Sequence, residues 1–166
     1  SNSSYIQRVN ECKKGLEILK GKFNIVTFRD IDVAMLQELK NEYNILYKRL
    51  SHVVDENQRV IDMKYQLKKC DANNAGIILK KSHESLKSLY EVSCMEIDYI
   101  IKMSENFDGW YGGRIIGGGF GGCSIHLVAH HVMEKYQSYI IACYTEKYDI
   151  IPDIFKVTFP GGLQYL

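Results

Sequence analysis

Proline is nearly missing from this 166-residue chain: Pro152 and Pro160 are the only two, and the first 108 residues carry just three glycines, Gly15, Gly21 and Gly76. So long a stretch without breakers is expected to be helical. No apolar run approaches the roughly 18 to 20 residues a membrane-crossing helix needs, and no signal-like segment is seen, which predicts a cytoplasmic protein with no membrane partner. The five cysteines, Cys12, Cys70, Cys94, Cys123 and Cys143, contain no CxxC and come no closer than twenty residues. That spacing argues against a zinc knuckle or a disulfide scaffold and leaves cysteine as reduced core filler. Charge of neither sign prevails: 21 Lys+Arg against 20 Asp+Glu give a net +1, too little field to attract nucleic acid. With 46% hydrophobic residues the chain has the composition of one ordinary globular domain, and disordered or fibrous classes drop out.

In the breaker-free part, apolar residues recur at helical spacing. Tyr5, Val9, Cys12, Leu16 and Leu19 form one such series, and Leu36, Leu39, Tyr43, Leu46 and Leu50 a second, continued by Val53, Val54, Val60, Ile61 and Leu67. Ala75, Ile78, Leu79, Leu86 and Leu89 predict another helix, and Ile97, Ile100 and Ile101 a shorter one. Beyond Gly109 the period becomes two. A short strand is expected near Arg114 to Ile116, a second over Cys123 to Ala129, and a third over Phe155 to Phe159. Between the last two, Val132, Met133, Tyr136, Ile140, Cys143 and Tyr144 are spaced for a helix across the sheet. The fold class is therefore α+β, a helical layer packed on a small, mostly antiparallel sheet.

Eight of the thirteen glycines lie between Gly109 and Gly122. Gly117, Gly119 and Gly122 formally spell GxGxxG, but a strand pattern follows where a dinucleotide site needs a helix N-terminus, and the lysine of a P-loop is missing. A glycine-rich hairpin connection is the plain reading. Five glycines within Gly117 to Gly122 lose much chain entropy on ordering, so close approach of a ligand or a facing loop is the stronger one. The demand for glycine, at Gly119 among others, is then expected to come mainly from outside the chain's own fold. No metal set is seen. His130 and His131 at a strand end would face opposite ways. A capping box from Ser93 and Glu96 accounts for Cys94 without a nucleophile. Arg114 is read as pairing with a carboxylate rather than a phosphate, and His52 and His83 as satisfied structural groups.

The run Tyr111, Gly112, Gly113, Arg114, Ile115, Ile116, Gly117 to Gly119, Phe120, Gly121, Gly122, Cys123 resembles the third signature of the galactokinases, a branch of the GHMP small-molecule kinase superfamily, of the form YGxRxxGxGFGGC. Three more segments are similar to that family in order. Ser4, Tyr5, Arg8, Glu11 and Cys12 resemble SxYxxRRxEC; His52, Val53, Val54, Glu56, Asn57, Arg59 and Val60 resemble HVVxENxRV. Ser82, His83, Ser85, Leu86, Tyr90 to Cys94, Glu96 and Asp98 resemble SHxSLRxxYEVSCPELD. Three positions depart: Ile116 stands where Thr or Ser is usual, Val9 replaces the second Arg and Met95 replaces Pro.

The resemblance implies a ferredoxin-like GHMP kinase C-terminal domain over residues 1–166, with the N-terminal half, its phosphate loop and its catalytic aspartate absent; the start at Ser1 without a methionine is expected of either an expression scar or a cut inside a longer protein. As a full-length protein it implies an ATP-dependent sugar kinase, the chain alone being inactive. No catalytic residue is expected in this chain. Tyr5 is the implied sugar contact, with a hydrophobic staple at a helix start as its structural alternative. Gly117, Gly118, Gly119, Phe120, Gly121 and Gly122 are the implied phosphate-side loop. ATP and Mg²⁺ would be held mainly by the missing half; galactose or a related sugar would be the acceptor. A surface around Tyr5, Phe120 and the loop would lie exposed and favour self-association. The alternatives are a kinase for another sugar, which the loss of a hydroxyl at Ile116 favours, and a non-catalytic binding or regulatory module on the same half-fold.

Overall fold

A computed structural model describes residues 2–157. The helical part comprises α1 (Asn2–Lys20), α2 (Val33–Lys40), α3 (Asn44–Lys68), α4 (Ala72–Ser88) and α5 (Met95–Ser104). The hairpin β1 (Trp110–Ile116) and β2 (Cys123–Val128) follows, then α6 (Met133–Tyr148). Short 3-10 turns lie at Phe28–Asp30 and His130–Val132. Side-chain caps start several elements: the Asp32 carboxylate accepts from Met35 N at 2.8 Å ahead of α2, and Asp71 from Asn74 N at 3.0 Å ahead of α4, satisfying backbone donors that a helix start leaves free. The apolar series Leu36 to Leu50 is not one helix. It breaks at Asn41–Tyr43 with the hydrophobic phase preserved, so that Leu39 and Leu46 still enter the same core.

That first core joins α1, α2 and α3 through Cys12, Leu16, Leu19, Leu36, Leu39, Leu46 and Leu50. A second core sets α5, the hairpin and α6 together through Ile97, Ile101, Trp110, Ile115, Tyr136 and Ile140, with Leu86 and Val92. Tyr90, in the link between α4 and α5, packs against both. Helix α4 lies directly on β1: a Cβ on Gly76 would fall on the Tyr111 carbonyl, and one on Gly112 on the Gly76 carbonyl. Only paired glycines let helix and strand backbones come so close. β1 and β2 pair antiparallel from Gly112↔Leu127 to Ile116↔Cys123, with an irregularity between Trp110 and Gly112. The third strand expected over Phe155 to Phe159 is a correction for residues 155–157, which form no ladder among the described residues; its remainder lies outside them.

Candidate functional site

Residues 117–122 join β1 to β2 through an almost unbroken left-handed path: φ is +79° at Gly117, +82° at Gly119, +64° at Phe120, +114° at Gly121 and +97° at Gly122. Phe120 is the unusual member, since a bulky side chain in this region is strained and persists only when its surroundings impose it. The imposing group is Val92 in the α4–α5 link, whose carbonyl accepts from Phe120 N at 2.6 Å. The Phe120 ring is partly buried and packs against the second core. Gly119 corrects another expectation. A Cβ there would lie 2.7 Å from Val92 O, so the chain's own backbone requires glycine at that point. Gly117 and Gly122, by contrast, have nothing within 4 Å of a would-be Cβ.

Tyr5, in the first turns of α1, is 49% exposed. Its Cδ2 lies 3.7 Å from where a Cβ on Gly118 would stand, so α1 and the glycine loop meet edge to edge. One turn further along, Arg8 is buried and donates to Tyr90 O at 2.7 Å. Arg49 of α3 donates to Glu11 at 2.7 Å and to Glu91 at 2.8 Å. Burial alone would raise the Glu11 pKa, but hydrogen bonds from Arg49 and Gln7 and the charges of Arg49 and Arg8 outweigh it and hold the carboxyl below its usual value.

Arg114 turns to the helical layer, donating to Glu56 at 2.9 Å and Ser82 Oγ at 2.8 Å, a carboxylate pairing as read from the sequence. His52 Nδ1 meets Ser85 Oγ at 2.9 Å and its ring stacks on Tyr90; burial lowers its pKa to about 4. His83 accepts weakly from Ile115 N at 3.4 Å and faces Asp98 at 3.3 Å. The residue at the N-cap of α5 is Cys94 rather than Ser93, whose hydroxyl donates to Asp98 at 2.6 Å instead. Burial raises the Cys94 thiol pKa, which works against a nucleophilic thiolate. His130 and His131 are exposed on the 3-10 turn, not at a strand end, and among the described residues no cluster of three His, Cys, Asp or Glu side chains could hold a metal ion.

Residues 63–139 match the family model described as GHMP kinases C terminal. The galactokinase of Thermotoga neapolitana is 36% identical over 165 residues, covering 99% of this chain and 45% of the relative. That of Staphylococcus carnosus is 29% identical over 168 residues, covering 43% of the relative. The crystal structure of Lactococcus lactis galactokinase complexed with galactose superposes with a TM-score of 0.79 at 28% identity, over 90% of this chain and 39% of that one. Over residues 63–139 the chain is thus similar to GHMP kinase C-terminal domains. It spans less than half the length of the galactokinases it matches, and the similarity runs through all four segments that carried the sequence resemblance. What the sequence did not reveal is Arg49, which lies in none of those segments. It also concealed the half-buried His126, which accepts from Trp110 Nε1 at 3.0 Å and meets Tyr136 OH at 2.8 Å.

Proposed function

We propose that this chain is a GHMP kinase C-terminal domain and supplies one wall of a galactokinase-type active site, in a protein that transfers the γ-phosphoryl group of ATP to the anomeric hydroxyl of galactose. The sugar oxygen attacks Pγ, the bond from Pγ to the β-phosphate bridging oxygen breaks, ADP leaves, and the hydroxyl proton passes to a base on the N-terminal half. Such a transfer depends on positioning and electrostatics more than on covalent chemistry from the protein. The single observation that carries the reading is the meeting of Tyr5 with the glycine loop at Gly118, beside open space at Gly117 and Gly122. Tyr5 then touches a sugar hydroxyl and the loop closes the phosphate side, while ATP and Mg²⁺ are bound mainly by the N-terminal half. Ile116, 40% exposed at the mouth of the loop, supports a second reading within the same chemistry: a related sugar as acceptor, since no hydroxyl stands there to bond with galactose.

The test is a panel of sugars with ATP and Mg²⁺ on the full-length protein and on this chain alone. Full-length protein is expected to release ADP fastest with galactose, and this chain to show nothing above blank. Tyr5→Phe should raise the galactose KM about tenfold, as one lost hydrogen bond of about 1 to 1.5 kcal/mol predicts. Turnover by this chain alone, or an unchanged KM in Tyr5→Phe, would refute the division of labour. Preference for another sugar would select the second reading.

A further inference from the structure

We propose that Arg8 and Arg49 form a positioning clamp that fixes the glycine loop at its distance from Tyr5. The chain of contacts starts at three consecutive carbonyls in the α4–α5 link. Leu89 O accepts from Arg49 Nη1, Tyr90 O from Arg8 Nε at 2.7 Å, and Glu91 O from Arg8 Nη2 at 3.3 Å. Two carboxylates hold the guanidiniums in turn: Glu11 bridges Arg8 and Arg49 at 3.1 and 2.7 Å, and the Glu91 side chain takes Arg49 Nη2 at 2.8 Å. With its carbonyls anchored, the link turns through a left-handed Glu91, φ +57°. The next carbonyl, Val92 O, is thereby aimed at Phe120 N. Arg8 sits one turn beyond Tyr5 on α1, so the same group that orients the link also fixes the helix presenting Tyr5.

A purely structural reason for this cluster is weak. The Arg49 side chain is only 3% exposed, and buried ion pairs seldom stabilise a fold more than apolar residues of equal volume. Apolar side chains, however, cannot hold three carbonyls at once. The two forked guanidiniums together do, Arg8 taking two and Arg49 one, and an ammonium in place of either would serve fewer acceptors. The proposal rests on the reading of Tyr5 and the loop as two walls of one site, yet its test needs neither sugar nor nucleotide.

Amide hydrogen exchange on the full-length protein, free of substrates, compares wild type with Arg49→Lys. Exchange at Phe120 is expected to quicken at least tenfold while amides of α6 around Ile140 keep their rates. A folded variant in which Phe120 exchange is unchanged, or in which α6 quickens equally, would overturn the clamp. Should Arg49→Lys fail to fold, Glu91→Gln decides, because that carboxylate is 45% exposed and its loss spares the core. The same selective rise, about threefold, is expected, and its absence counts against the clamp. A wild-type protein that phosphorylates no sugar would remove the functional reading but would leave the exchange result, and so the clamp, standing.

Discussion

Gly118 and Gly119 are adjacent, yet glycine is demanded for different reasons at the two. Gly119 combines a left-handed φ with a Cβ position against Val92. Gly119→Ala should cost about 2 to 4 kcal/mol, from backbone strain and overpacking together, read as a fall in melting temperature. Gly118 lies outside the left-handed region and its Cβ would make only ordinary contact with Tyr5. Gly118→Ala should shift stability by less than about 1 kcal/mol while lowering kinase activity of the full-length protein well beyond any change in folded fraction. Full activity in that variant would show that nothing outside this chain approaches the loop. Tyr5 and the loop stood out in the sequence because a dense motif carried them, and the structure sets them side by side. Arg49 did not, since an arginine in an amphipathic helix reads as a solvent-facing charge. Its burial is decided by Glu11, Leu89 and Glu91, all about forty residues distant in sequence.

Among the secondary-structure elements, the hairpin is tied to α5 and α6 by a partly buried polar chain. Ser104 Oγ meets Tyr136 OH at 2.7 Å, Tyr136 OH meets His126, and His126 Nε2 meets Ser124 Oγ at 2.8 Å. Because indole N–H only donates, His126 Nδ1 is an acceptor and the neutral ring carries its proton on Nε2. Burial lowers the His126 pKa to about 4, as it does for His52 between α3 and α4. Both values lie below the ordinary 6.5, so the unfolded chain takes up these protons first. The stability from neutral His126 and His52 is therefore intact above pH 6.5 and is lost as pH falls from there toward 4, by at most about 3 kcal/mol for each. Urea midpoints at pH 7 and pH 5 should differ accordingly, and His126→Gln should flatten the slope; an equal slope in the variant would place the loss elsewhere. Helix and strand types were legible from the apolar period, but the break between α2 and α3 was not. Seven residues separate Leu39 from Leu46, two helical turns, so the pattern stays in phase through the interruption. The expected third strand had alternation at Phe155 and Val157, but among the described residues these pair with no neighbouring strand, and alternation alone makes no ladder.

At the scale of the molecule, two cores share the Tyr90 link and are braced by the charges of Arg8, Glu11, Arg49 and Glu91. Such bracing couples the α1–α3 layer to the hairpin and α6, so unfolding is expected to be a single transition. Far-UV circular dichroism, dominated by the helices, and a probe of the second core should give coincident curves. Two separated midpoints would mean that the link transmits nothing. The second core already contains that probe. Trp110 is the chain's sole tryptophan, and its indole N–H ends on the His126 imidazole. An imidazolium quenches indole fluorescence by drawing off the excited electron, whereas a neutral ring does so far less. The emission of the unlabelled protein thus carries two separate signals: its colour reports whether water has reached the hairpin, and its intensity whether one proton has.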